Sequence, residues 1–334
     1  MRKLAVGLLS VALAACSAAS EQGPACDRAC LIELTDKYVA GIEGKSVEGI
    51  PFSDEVVIVE NLQRIRPGEG LWADVTGKGT DFSIVVPDEQ RQTAGWLGMV
   101  ERDGKPTIVA VRLKLDPRGS IVEAEHLYAA IDTSTPLGES QMANLQTVRP
   151  GLLAEVPETS RKTSDELIAI GATYYPALDD NDGSLMPFAE DCERHENGMV
   201  TAGPGPRVGP GPNNNTAPIA RDCKGQLDSN AMAYITSIDN RRVFAADPVT
   251  GLVMGLSHFR HPMDFEPYEV TALDGSKILY DKSRFPFEPF DLPAAHIFKV
   301  GADGKVHEIE AMGFQAPLNS PTGWEGTGEG AAGE

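Results

Sequence analysis

The chain has 334 residues, 41% of them hydrophobic, enough to fill about two globular cores. Lys and Arg number 29 against 49 Asp and Glu, a formal net charge of −20. With no basic stripe anywhere along the chain, that balance argues against nucleic acid or an anionic membrane surface as a partner.

The N-terminus runs Met1-Arg2-Lys3 and then an apolar stretch from Leu4 to Ala15. A charged start followed by a short apolar run is the pattern of an export signal, and the run is too short to span a bilayer. Leu13-Ala14-Ala15-Cys16 matches the bacterial lipoprotein cleavage site: small residues fit the peptidase, and the Cys16 thiol would take the diacylglycerol. The expectation is a signal peptide over 1–15 and a periplasmic or membrane-anchored protein, facing the periplasm or cell surface and touching the membrane only through lipid. The alternative is an ordinary signal cut near Ala18-Ala19, with Cys16 discarded.

The cysteines lie at 16, 26, 30, 192 and 223. With Cys16 given to lipid, an even set remains for pairing in an oxidising compartment. Three connectivities are open to it; Cys26–Cys30 with Cys192–Cys223 keeps each bridge within one domain. Neither CxxC pairs nor zinc-type Cys/His spacing occurs, and no metal is expected.

An internal repeat organises the rest. At a shift of 136 residues Leu31-Ile32 matches Leu167-Ile168, Tyr38 matches Tyr174, Pro51-Phe52 matches Pro187-Phe188 and Glu60-Asn61 matches Glu196-Asn197. Each copy opens on an amphipathic helix, with Leu31, Leu34, Tyr38 and Ile42 in the first and Leu167, Ile170, Tyr174 and Leu178 in the second. Residues 163–166 (TSDE) supply the second helix with capping groups. Strands follow over 96–101 and 107–115 in the first copy, and over 243–246 and 252–259 in the second, with turns at Asp103-Gly104 and Thr250-Gly251.

The ends of the copies, LDPRG before IVEAE at 121–125 and VGADG before VHEIE at 306–310, match at a shift of 185 residues. The second copy therefore holds about 49 extra residues, assigned to the Gly/Pro/Asn-rich loop 203–218 and to the Phe/Pro-rich stretch 262–293. Domains of 26–132 and 164–325 are expected, with 133–163 as a linker carrying Pro136, Pro150 and Pro157, and 326–334 as a tail. Helices first, then an antiparallel meander, make the fold class α+β.

These features resemble the NTF2-like, or SnoaL-like, fold: Tyr38 and Tyr174 late in the helix, Pro-Phe before the first strand, and a final hairpin with an Asp-Gly turn. The resemblance implies two tandem cones, each a curved antiparallel sheet closed by helices around a pocket. The second copy, with DCERHENG at 191–198 and SPTGW at 320–324, also resembles a family of secreted bacterial and fungal proteins. The NTF2-like superfamily hosts dehydratases, isomerases, lyases, epoxide hydrolases and binding modules. Its lyases acting on lignin-derived diaryl compounds keep aromatic substrates in view.

Val56–Glu60 is apolar at nearly every position, whereas the matching Cys192–Glu196 carries charges and an imidazole. Alternation sets Glu193, His195 and Asn197 on one strand face and Cys192, Arg194 and Glu196 on the other. The expectation is a filled first cone and a polar, working second one. His195 is the preferred acid or base, oriented by Glu196 or Glu193, with Asn197 holding a substrate oxygen and Tyr174 donating a phenol hydrogen bond. Arg194, His258, His307 and Glu310 join Glu193 as candidate binding residues. His258 and His261, three apart on a strand, point to opposite faces and do not share a metal ion. Phe285–Phe290 reads as a lid or as a loop packed on the sheet. The expected activity is cofactor-free acid–base chemistry, as a lyase, isomerase or hydrolase, on a small apolar molecule in the second pocket. A non-catalytic ligand-binding lipoprotein and an interaction module are the alternatives.

Overall fold

The computed structural model describes residues 26–204, 219–285 and 287–326. The leader with Cys16, most of the 203–218 loop, Pro286 and the tail from 327 lie outside the described residues. The first half comprises α1 (Arg28–Glu43), β1 (Phe52–Glu60), β2 (Gln63–Ile65), α2 (Leu71–Asp74), β3 (Val75–Asp88), β4 (Thr93–Arg102), β5 (Lys105–Leu115) and β6 (Ile121–Ala130). Next come α3 (Pro136–Asn144) and α4 (Pro150–Leu153). The second half comprises α5 (Ser164–Ala172), α6 (Tyr174–Asp179), β7 (Phe188–Glu196), β8 (Met199–Ala202), α7 (Cys223–Asp228), β9 (Ser237–Asp247), β10 (Leu252–His261), the hairpin β11 (Tyr268–Thr271) and β12 (Lys277–Tyr280), β13 (Phe290–Val300), β14 (Val306–Gly313) and β15 (Ala316–Pro317).

The two sheets run in equivalent order, β2-β1-β6-β5-β4-β3 and β8-β7-β14-β13-β10-β9. At the 136-residue shift α1 falls on α5 plus α6, and β1 falls on β7. At the 185-residue shift β5 falls on β13 and β6 starts where β14 does. The strands β4 and β10 lie between these shifts, so the extra residues divide between the β8–α7 region and the β11–β12 hairpin. The fold is α+β with few helices. Its sheets are mixed, which corrects the expectation of wholly antiparallel ones: β1 pairs with β6, and β7 with β14, in parallel.

Helix α1 starts on Asp27, whose carboxylate accepts the Cys30 N–H at 2.9 Å. Helix α5 starts on a capping box between Thr163 and Glu166. The second copy does not keep one long helix. Pro176 has no N–H for the Ala172 carbonyl and its ring would clash there, so the chain breaks at Thr173 and restarts as α6.

One face of each sheet carries its own helices. Tyr38, Val39 and Ile42 of α1 pack with Val109, Val111 and Leu113. Leu167, Tyr174 and Leu178 pack with Val253, Phe298 and Ile309. The opposite faces meet in a shared core that joins Ile84, Leu97 and Ile108 of the first sheet to Leu252, Met254 and Ile297 of the second. Ion pairs stitch its margin: Arg28 is bidentate on Asp247, and Arg242 is bidentate on Glu125. The C-terminal turn crosses back to the first half, where Arg64 donates to the Gly323 carbonyl at 2.9 Å and the Arg112 guanidinium lies 5.7 Å from the Trp324 ring centre.

Both disulfides, Cys26–Cys30 and Cys192–Cys223, are present. They fit an oxidising, extracytoplasmic compartment. The second ties α7 to β7 across a sequence separation of 31 residues. Replacing Cys192 and Cys223 by Ala should lower the unfolding free energy by about 3–4 kcal/mol on loop entropy. Urea unfolding of the two forms checks this; equal midpoints would mean that α7 is held by packing alone.

Candidate functional site

The first chamber is full. Tyr38 stands edge-on to Trp72 with ring centres 5.3 Å apart, and to Phe52 at 6.0 Å. The Tyr38 hydroxyl and His126 Nε2 are 2.8 Å apart, and His126 Nδ1 lies 2.9 Å from Glu60 Oε2. Glu60 also accepts the Leu71 N–H at 3.0 Å, so this buried triad is closed on itself.

The second chamber encloses a cavity of about 660 Å³. Tyr174, Arg194, Glu196, Thr201, Gln226 and His296 contribute polar groups to its wall; Tyr234, Phe259, Tyr280, Phe285, Phe287 and Phe290 contribute rings. Register explains the difference between the chambers. Glu60 sits opposite His126 across β1 and β6, whereas Glu196 sits opposite Ala311 across β7 and β14. A methyl group replaces the imidazole. Ile58, on the same face of β1, is replaced by Arg194.

Arg194 is buried. Its Nε donates to the Thr201 hydroxyl at 2.8 Å, its Nη1 to the Tyr174 hydroxyl at 3.2 Å and its Nη2 to the Gln226 amide oxygen at 3.0 Å. The disulfide at Cys192 holds α7, and with it Gln226, against this strand. Burial raises the Tyr174 phenol pKa, and the Arg194 charge opposes the rise. His296 stacks on Phe298 at 3° between ring planes, and burial followed by the Arg194 charge pushes its pKa down to about 3. His261 stacks on Phe290 with ring centres 4.4 Å apart and is pushed down to about 4 by burial. Both imidazoles are therefore neutral near pH 7.

The expected site residues divide between two places. Tyr174, Arg194 and Glu196 line the cavity. His195 does not, which corrects its expected place: it shares a strand face with Glu193, away from the cavity and toward the intervening segment. There its Nε2 lies 2.7 Å from Glu193 Oε1 and its Nδ1 3.4 Å from Glu310 Oε1. Arg149, just before α4, pairs with Glu193 at 2.9 Å, Glu308 at 3.2 Å and Glu310 at 3.0 Å. The segment expected as a linker thus supplies the only cation in contact with three carboxylates among the described residues of this cluster.

Asn197 is also corrected. At φ 48° it turns the chain after β7, and its amide is used up on the Gly313 backbone at 2.9 and 3.0 Å. Asn61 does the same for Tyr128 in the first half. His258 faces the other half of the molecule, 3.6 Å from Asp291, and His307 is a partly exposed partner of Asp191 and Asp303; neither reaches the cavity. The residues missed as site candidates are Gln226, His261 and His296 on the cavity wall and Arg149 behind it. The single aromatic-rich stretch 285–290 was the legible sign of the cavity mouth, since Phe285, Phe287 and Phe290 all line it.

A family model described as a domain of unknown function (DUF8021) matches residues 160–313, the span from just before α5 to the end of β14. The match encloses the cavity-bearing half and carries no assigned activity. No curated protein matches the chain.

Glu310, 1% exposed, has its pKa pushed up to about 7 by burial, with Arg149 opposing the rise. The folded chain therefore holds this proton where the unfolded chain has lost it, between the ordinary value of 4.5 and about 7. Stability contributed by this site is full below that window and is lost as pH rises through it. Glu310→Gln should remove the loss. Between pH 5 and 7.5 the wild type should fall relative to the variant by on the order of 2 kcal/mol. Urea unfolding at both pH values decides; parallel pH profiles would show that Glu310 titrates normally.

Proposed function

We propose that the protein is exported, anchored through Cys16, and takes a small apolar molecule, aromatic ones included, into the cavity of its second half. The observation that carries the reading is the pair of matched chambers: one closed by His126 and Trp72, the other left open by Ala311 and walled with aromatic rings. A cavity of about 660 Å³ has the size and apolar lining of a drug-sized ligand site. Two cone-like halves with equivalent strand order and helices on one face support an NTF2-like reading of each. Export is supported by the leader and by the two disulfides.

Turnover by acid–base chemistry is the second reading, favoured by the polar end of the cavity. The Tyr174 hydroxyl accepts from Arg194 and keeps its own proton free to donate, and the Glu196 carboxylate shares the wall. The histidines serve this reading poorly. An imidazole with a pKa near 3 is a weak base at neutral pH, so His296 is better suited to hydrogen bonding than to proton abstraction.

Ala311→His restores the closed arrangement, placing an imidazole between Tyr174 and Glu196. A thermal-shift screen of aromatic and terpenoid compounds should yield ligands for the wild type, and the variant should bind them at least about tenfold more weakly without losing stability. Unchanged binding by the variant would move the site elsewhere. Tyr174→Phe separates the two readings: an enzyme loses turnover and keeps affinity, whereas a binder changes in affinity alone.

A further inference from the structure

Among the described residues, the arginines set deep in the molecule are ion-paired, with the exception of Arg194. Arg242 is bidentate on Glu125, and Arg112 pairs with Glu123. Arg194 is as deeply buried, yet its three hydrogen bonds go to two hydroxyls and an amide oxygen, all neutral. Among the described residues no carboxylate lies within ion-pair distance of it. A guanidinium has five N–H groups, and three are used. One N–H remains on each terminal nitrogen, and two such nitrogens can grip a carboxylate through a pair of bonds. Glu196 acts on Arg194 through space and makes no ion pair with it, and a buried charge without a paired partner is expensive to keep unless something supplies one.

We infer that the ligand of the second cavity is a monoanion: an apolar, ring-bearing body with one carboxylate, which Arg194 receives at the polar end. The inference rests on the cavity reading above. Several features converge on it. Thr201, Tyr174 and Gln226 hold the guanidinium by its other hydrogens, so its orientation is fixed before a ligand arrives. The Tyr174 hydroxyl, already accepting from Arg194, has its proton left for the same carboxylate. Glu196, one alternation along the strand from Arg194, lies on the same wall and would repel a second negative charge, which limits the ligand to one. The rings of Phe259 and Phe290 give the body an apolar surface.

The test uses matched pairs on the full chain: 2-naphthoate, a biphenyl carboxylate and a diterpene carboxylate, each against its own primary amide, by calorimetry and thermal shift at pH 7. The acids should bind about tenfold to a hundredfold more tightly than their amides. Arg194→Gln should remove that preference while leaving amide binding in place, and Arg194→Lys should retain part of it, since the charge remains and the fork does not. Should Arg194→Gln prove unstable, the acid–amide comparison on the wild type still decides. Amides binding as tightly as acids would overturn the anion inference and leave the cavity reading standing. Failure of every acid and every amide to bind would overturn both.

Discussion

The architecture depends on one pairing made in both halves: β1 lies parallel to β6, and β7 to β14. That register fixes which residue of the closing strand stands opposite the Glu that ends the opening strand. In the first half it is His126, and the imidazole bridges Glu60 to Tyr38 in the middle of an aromatic cluster. In the second it is Ala311, and nothing bridges Glu196 to Tyr174. Two halves with equivalent strand order therefore differ at the point where a chamber is either plugged or left open. Trp72 completes the plug on one side, while on the other α7, drawn in by the Cys192–Cys223 bridge, offers Gln226 to a guanidinium.

The same register places the charges of β7 on two separate faces. Arg194 and Glu196 serve the cavity; Glu193 and His195 face the segment between the halves, where Arg149 meets Glu193, Glu308 and Glu310. Burial, opposed by Arg149 and aided by the charges of Glu308 and Glu193, pushes the Glu310 pKa up to about 7, which relieves the excess of carboxylates over the one cation. Lys299 reinforces the arrangement by donating to the carbonyls of Leu152 and Ala154 at α4 and of Thr250 in the β9–β10 turn, so the segment that carries Arg149 is fastened to the second sheet. The cluster joins the halves, and the cavity lies on the far side of the same strand.

Much of this was legible in the residues. The repeat, the first opening helix and the start of the second, the capping box at Thr163, the turns at Asp103-Gly104 and Gly251 and the disulfide pairing depend on local chemistry or on matches within the chain, and such signals survive without a structure. The face assignment of β7 did not. Alternation says that Glu193 and His195 share a face and that Arg194 does not; it does not say which face looks toward α5 and α6. Both faces of the sheet are covered here, one by helices and one by the other sheet, so polarity gave no clue to inside and outside. Arg149 was hidden for a different reason. It precedes a helix of four residues, too short for any periodic pattern, and its partners lie 44 residues or more away in sequence. Asn197 looked like a polar group available to a ligand because a left-handed turn and a chemical site favour the same residue type.

The cavity combines two kinds of support. Its polar end is set on strand β7 and helix α7, with a disulfide and three hydrogen bonds fixing a single guanidinium. Its mouth is built from the residues that the second half has in excess: Phe285 and Phe287 beyond the β11–β12 hairpin, with Tyr280 at the hairpin's end. Rigid elements hold a group in place more accurately than loops do, and loops adapt more readily to the body of a ligand. On the proposed reading, discrimination by charge would fall to the polar end of the site, and tolerance of shape to the aromatic residues of the insertion. The first half, with the same strand order and no such insertion, has the place of that chamber filled by Tyr38, Trp72 and His126.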